Sequence, residues 1–109
     1  MQIQYNSNSK TLTAFLDGEI DHHCAVDIRM EIDLKIRELA PEKLILDYGD
    51  VTFMDSSGIG LIMGRHKLIQ SLGGCIEVKN VPDKLYKVVR LSGIEKLGKV
   101  SVKERGVTK

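Results

Sequence analysis

This chain of 109 residues has no tryptophan, only two prolines and only two cysteines. Two cysteines are too few for a disulfide framework, and Cys24 and Cys75 form no CxxC motif and have no histidine nearby at metal-ligand spacing. One lies in a helical pattern and the other in a strand pattern, both among apolar neighbours. We therefore expect two buried free thiols rather than a disulfide or a metal site.

The sequence also lacks an excess of charge of either sign. Sixteen Lys and Arg oppose fifteen Asp and Glu, which leaves a net charge of +1 and gives no electrostatic case for DNA, RNA or an anionic membrane as the main partner. No apolar run approaches the roughly 20 residues of a membrane span, and the first ten residues lack the basic start and apolar run of a secretory signal. We expect a cytoplasmic protein that binds neither nucleic acid nor membrane.

The N-terminal part of the chain predicts a hairpin followed by a long helix. Apolar and polar residues alternate at 3–5 and again at 12–16 around a polar turn, as in two antiparallel strands. The segment 22–39 is ambiguous, because apolar residues occur at every second position over 28–36 but also at spacings of three and four. Its length exceeds that of an ordinary strand and favours a helix.

Charge placement supports the same interpretation of this segment. Glu31–Lys35 and Asp33–Arg37 are both i,i+4 pairs with the acid first, the favourable order on a helix. Asp21 is suited to cap the helix start.

The rest of the chain alternates between strand and helix patterns. The unbroken apolar run at 43–48 predicts a strand buried on both faces. Helical spacing follows over 59–69, a strand pattern at 75–78, a helix that begins near Pro82, and a final short strand within 94–102. On the first of the two later helices, the residues that repeat at helical spacing are Ile59, Ile62, Met63, His66 and Ile69. On the second, the residues expected to face inward are Leu85, Val88 and Val89.

This order of elements predicts an α/β fold with a mixed, mostly parallel sheet, an antiparallel N-terminal strand and covering helices. The length allows one domain, which we assign to residues 1–109 with a core at about 3–102. The polar tail from Lys103 is expected to be loose.

The stretch FMDSSGIG, where a strand gives way to a helix, is the most informative in the sequence. Asp55, Ser56 or Ser57 can accept hydrogen bonds from the free amides of the first helical turn. Gly58 and Gly60 would leave this end uncrowded, so that another backbone or a nucleotide phosphate could approach. A helix cap alone would also explain these residue types.

Two further features of the stretch have ordinary explanations. Gly60 and Gly64 lie four apart on one helical face, a spacing that favours close helix packing. Ser56 lacks the G-x-S-x-G setting of a hydrolase nucleophile, and there is neither a P-loop nor a GxGxxG motif. We therefore do not expect an enzyme.

A second polar cluster, GEIDHH, precedes the first predicted helix. Paired histidines allow metal binding or acid–base chemistry, but His22 and His23, being adjacent, point in different directions on a helix. Two surface histidines in a first turn, after the cap residue Asp21, explain the pattern. We predict no metal site.

Together these motifs resemble the sporulation branch of the anti-sigma factor antagonists, in the STAS domain family. The resemblance covers about residues 3–100. The segments that carry it are 18–23 (GEIDHH), 53–60 (FMDSSGIG), Gly64-Arg65, Gly73-Gly74 and 91–94 (LSGI).

The resemblance implies a switch that the composition could not indicate. In the family, the serine after the aspartate is phosphorylated by the partner anti-sigma factor, a serine kinase, and that position here is Ser56. The unmodified protein binds the anti-sigma factor and releases the sigma factor, the phosphorylated form does not, and a serine phosphatase restores binding. Asp21 belongs to the same surface, and the expected partner- or nucleotide-binding set is Asp21, Asp55, Ser57, Gly58 and Gly60.

The resemblance requires no cofactor, and it leaves three functions open. The first is the phosphorylation switch. The second is a STAS module that mainly contacts ATP or GTP. The third is a stress-response antagonist or a structural subunit of a larger assembly.

Overall fold

The computed structural model describes residues 1–103. In this range five strands form one sheet in the order β1-β2-β3-β4-β5; β1 is antiparallel to β2 and the other neighbours are parallel. The predicted α/β fold with an antiparallel first strand is confirmed. The elements are β1 (Gln2–Asn6), β2 (Thr11–Ile20), α1 (His22–Leu39), β3 (Lys43–Met54), α2 (Ser56–Ser71), β4 (Cys75–Val81), α3 (Asp83–Leu91), a 3-10 turn (Ile94–Lys96) and β5 (Lys99–Val102).

The core lies between one face of the sheet and the helices. Neighbouring strands are in register here, so that apolar side chains form rows across the sheet. The residues of two such rows, all at most 3% exposed, are Leu12, Leu44 and Ile76, then Ala14, Leu46 and Val78. Because β2 and β3 are parallel, α1 and α2 both begin at the same edge of the sheet.

The prediction that the first central strand is buried on both faces is wrong. β3 is one strand of 12 residues, and it alternates: Leu44 and Leu46 are buried, whereas Lys43 and Ile45 are only partly so. The opposite face of the sheet is polar in places and carries the ion pair between Lys43 and Glu77. The apolar run at 43–48 therefore did not indicate that the second face of the strand is buried.

The prediction that both cysteines are buried is also wrong. Cys24 and Cys75 are free and exposed. Cys24 lies in the first turn of α1, where its backbone amide faces Asp21, and Cys75 is the first residue of β4. Apolar neighbours in sequence did not predict burial, because the face on which a side chain points decides it.

The buried face of α2 does not include every residue of its helical repeat, and the inward face of α3 differs in part from the predicted one. Met63 and Val88 are 38% and 47% exposed. The buried face of α2 includes Leu61 and Arg65. Leu61 lies three residues after the buried Gly58, and Arg65 lies four residues after Leu61, so all three share one helical face. A buried arginine could not be predicted from apolar spacing.

The long helix α1 is confirmed, with Asp21 as its N-cap. Among the described residues, Glu31 does not pair with Lys35 and Asp33 does not pair with Arg37. Asp33 pairs instead with Arg65 of α2, with 2.7 Å between Oδ1 and Nε. Lys35 pairs with Glu38, with 3.3 Å between Nζ and Oε1.

The predicted loose tail lies mostly outside the described residues. Lys103 itself is held by two hydrogen bonds. Its amide donates to the Val81 carbonyl over 2.9 Å, and its Nζ donates to the Gly49 carbonyl over 2.8 Å.

Candidate docking site at the starts of α1 and α2

The two sequence motifs meet at one edge of the sheet. Ile20 and Met54, the last residues of β2 and β3, are paired in register. The amide of Asp55 then donates to the carbonyl of Ile20 over 3.3 Å. Asp21 and Asp55, which follow these paired residues, are therefore neighbours in space.

Each of the two aspartates caps a helix. Asp21 Oδ1 accepts from the amide of Cys24 over 2.9 Å, and Asp55 Oδ1 accepts from the amide of Ser57 over 2.8 Å. Hydrogen bonds from Cys24 lower the pKa of the Asp21 carboxyl, with the charge of His23 a smaller contribution. The cap hydrogen bonds therefore hold two carboxylates in fixed positions at the starts of the two helices, and this edge of the sheet is acidic.

Ser56 directly follows the capping Asp55, and its hydroxyl makes no hydrogen bond within residues 1–103. It is the first residue of α2 and is exposed. Among the described residues, the capping role at this helix start belongs to Asp55 alone. Ser57 is half-buried. We call Asp21, Asp55, Ser56 and Ser57 the Ser56 surface.

Gly58 has a role inside the fold rather than on this surface. It is buried, and its carbonyl accepts from the Tyr48 hydroxyl over 3.0 Å. A Cβ at this position would lie 2.6 Å from the Met54 sulfur and 2.8 Å from its Cβ. The expectation that Gly58 leaves room for a partner is therefore corrected, since the space is filled by Met54. Burial also raises the pKa of Tyr48 far above its ordinary value.

The interpretation of Gly60 and Gly64 as packing residues is wrong. Within residues 1–103, no atom outside their own turn of helix lies within 4 Å of a Cβ placed at either position. Both instead line a groove of about 300 Å³ between α1 and α2, which we call the α1–α2 groove. Its lining includes Ser57, so the groove adjoins the Ser56 surface.

The paired histidines are both exposed, with ring centroids 6.0 Å apart and planes at 65°. Within residues 1–103, no three His, Cys, Asp or Glu side chains come together as metal ligands would. His22 lines the α1–α2 groove.

Sequence reasoning missed the cations of this groove. Arg29 projects from α1, and Arg65 projects from α2 while 6% exposed. Burial lowers the pKa of Arg65, and the charge of Asp33 acts in the opposite direction. The sequence signal that could have found Arg65 is its place four residues after Leu61 and four residues before Ile69, on an otherwise apolar helical face.

The STAS domain family matches residues 2–105 of the chain. The chain belongs to this family, and within it to the anti-sigma factor antagonist type. It is 36% identical to the anti-sigma F factor antagonist of Paenibacillus polymyxa over 97 residues, which are 89% of this chain and 83% of that protein. Such relatives are regulatory binding proteins rather than enzymes.

Solved structures of the anti-sigma factor antagonist SpoIIAA are similar as well. The unphosphorylated form matches with a TM-score of 0.72 and 28% identity, over 95% of this chain and 88% of that one. The phosphorylated Bacillus form matches with a TM-score of 0.72 and 29% identity, over 94% and 91%. Among residues 1–103 of this chain, no helix has the length and apolar character to cross a membrane.

Proposed function

We propose that this protein is an anti-sigma factor antagonist whose partner binding is switched off by phosphorylation of Ser56. The partner is an anti-sigma factor that is also a serine kinase, and a serine phosphatase reverses the modification. The observation that carries the proposal is that Ser56 is exposed and its hydroxyl has no hydrogen bond within residues 1–103, directly after the capping Asp55 and at the sheet edge where Asp21 caps α1.

The cap geometry supports modification without loss of the fold. Asp55 already satisfies the amide of Ser57, so the Ser56 hydroxyl is free to react while the helix start stays intact. A phosphate adds about −1.5 to −2 charge units, and a helix N-terminus favours negative charge. The fold is equally similar to SpoIIAA in its unphosphorylated and phosphorylated forms.

The same geometry supports release of the partner. The new charge would lie next to the carboxylate of Asp55 and close to that of Asp21, so the docking surface would become strongly negative. Charge at an interface changes association through complementarity, and like charges brought together cost several kcal/mol. The relatives named for the sigma F system, and the paired histidines of the motif, favour a role in sporulation.

The test is phosphorylation of the purified protein by its anti-sigma kinase with ATP, followed by mass spectrometry. We expect one phosphate, on Ser56, and none on the variant Ser56→Ala. The variant Ser57→Ala is the matched control and should accept one phosphate as wild type does. A phosphate on Ser57, or none at all, would contradict the proposal.

A further inference from the structure

The α1–α2 groove is an open space that the two helices do not fill. Packed helices ordinarily interdigitate and leave few voids larger than a water molecule. This groove has a volume of about 300 Å³, far more than a single water molecule needs. Gly60 and Gly64 make the space, because neither supplies a side chain and neither is packed against by other residues in 1–103.

The groove is lined by apolar side chains, which we call its apolar floor, and by two arginines. Ala25 and Val26 of α1 and Leu61 of α2 supply the apolar part. Arg29 and Arg65 are the cations; Arg65 is paired with Asp33, so the uncompensated positive charge of the lining is that of Arg29. Among the described residues, no lining side chain is acidic.

Besides the open space of the groove, the side chain of Arg65 is an independent indication that the groove binds a ligand. Its side chain is only 7% exposed. Its Nε lies 2.7 Å from Asp33 Oδ1, but its two Nη nitrogens donate no hydrogen bond to residues 1–103, and they are not among the polar atoms closed off from solvent. The position of the guanidinium is fixed by Asp33, and its two Nη nitrogens can donate a pair of hydrogen bonds to a carboxylate.

We propose that the α1–α2 groove receives an acidic side chain of the anti-sigma factor, with its carboxylate between Arg29 and Arg65 and its aliphatic stem on the apolar floor. This inference rests on the proposed function. The groove adjoins the Ser56 surface through Ser57, so one partner can engage both at once. Charge complementarity selects the acid, and the apolar floor selects a side chain with a stem.

The first experiment reverses one charge of the groove. Arg29 is exposed, so Arg29→Glu should fold as wild type does. The matched control is Lys87→Glu, which makes the same change in net charge at an exposed position of α3. By isothermal titration with the anti-sigma factor, we expect at least tenfold weaker binding for Arg29→Glu and less than threefold for Lys87→Glu.

A second pair of variants fills the groove without changing charge. Gly64→Leu places a side chain in the open space, and Gln70→Leu adds the same side chain at an exposed position of α2 outside the groove. We expect Gly64→Leu to weaken binding at least tenfold and Gln70→Leu to leave it unchanged. Changing acidic residues of the partner one at a time to lysine should identify one change that restores binding to Arg29→Glu.

The outcomes separate this inference from the proposed function. If Arg29→Glu and Gly64→Leu bind as wild type does while Ser56→Asp binds weakly, the groove inference is wrong and the switch remains. If ATP or GTP alone binds wild type and not Arg29→Glu, the occupant is a nucleotide and the inference is again wrong. If wild type does not bind the anti-sigma factor, both the function and the inference fail.

Discussion

Asp33 of α1 and Arg65 of α2 form an ion pair between the two helices that present the Ser56 surface and the groove. The Nε–Oδ1 distance is 2.7 Å, and the two side chains are 15% and 7% exposed. The contact lacks the alignment of a hydrogen bond, so it acts mainly through charge. Because both residues lie on helices that start at the same sheet edge, the pair fixes how α1 and α2 sit beside each other.

Breaking this pair should destabilise the protein. Removing one member of a buried pair leaves an uncompensated charge, which costs about 3–5 kcal/mol. We therefore expect Asp33→Ala to lower the free energy of unfolding by an amount in that range, measured by urea denaturation. Arg37→Ala, at an exposed position of the same helix, should change it by less than about 0.5 kcal/mol. Equal effects of the two variants would show that the pair has no structural role.

The helix cap and the switch residue should separate cleanly. Asp55→Ala removes the side chain that accepts from the Ser57 amide, and loss of such a cap costs about 0.5–2 kcal/mol. Ser56→Ala removes no hydrogen bond within residues 1–103 and should cost less than about 0.5 kcal/mol. Thermal denaturation of the two variants measures the difference. A larger loss for Ser56→Ala than for Asp55→Ala would mean that Ser56 is chiefly structural.

The glycines of α2 should respond in opposite directions. Gly58→Ala places a Cβ against Met54, and such overpacking costs typically 1–3 kcal/mol. Gly60→Ala meets open space and replaces a poor helix former by the best one, a gain of up to about 1 kcal/mol. Chemical denaturation of both variants is the measurement. A stable Gly58→Ala protein would contradict the packing assigned to Met54.

The ion pair between Lys43 and Glu77 should make stability depend on pH. Burial raises the pKa of Glu77, but the hydrogen bond and charge of Lys43, with the charges of Lys79 and Lys99, outweigh it and hold the pKa below the ordinary 4.5. The hydrogen bond to Glu77 raises the pKa of Lys43 above 10.5. The carboxylate thus contributes stability above pH 4.5 that is lost as the pH falls through its folded pKa. The ammonium contributes stability below pH 10.5 that is lost as the pH rises through its folded pKa.

The variant Glu77→Gln tests this dependence. Its deficit in unfolding free energy against wild type should be constant between pH 4.5 and 10.5 and should shrink in more acid solution. The control is Glu38→Gln, which breaks the exposed pair with Lys35 and should have little effect at any pH. A deficit for Glu77→Gln that is as large at pH 3 as at pH 7 would contradict the assignment.

The sequence predicted those features of the fold that depend on local periodicity. The length and charge order of 22–39 identified α1, and the alternation at 3–5 and 12–16 identified the hairpin. Asp21 and Asp55 were suited to cap helices, and both do so. These features depend on residues close together in the chain, where spacing alone carries the information.

Features that depend on contacts between distant segments could not be predicted. Asp33 lies four residues before Arg37, the spacing of a helical ion pair, but it pairs with Arg65 of α2. The packing of α1 on α2 buries Arg65 beside Asp33. Gly60 and Gly64 have the spacing of a packing stripe, yet no other described residue packs against them and they line a groove. Cys24 and Cys75 have apolar neighbours but lie on exposed faces.

The central claim is that negative charge on Ser56 releases the partner while the fold is kept. Its most direct test is isothermal titration of the anti-sigma factor with wild type, Ser56→Ala and Ser56→Asp at two salt concentrations. Ser56→Ala should bind as wild type does. Ser56→Asp should bind at least tenfold more weakly, which is about 1.4 kcal/mol, and high salt should reduce part of that loss, since exposed charges are screened over about 10 Å at 0.1 M. Equal affinity of all three proteins would contradict the claim.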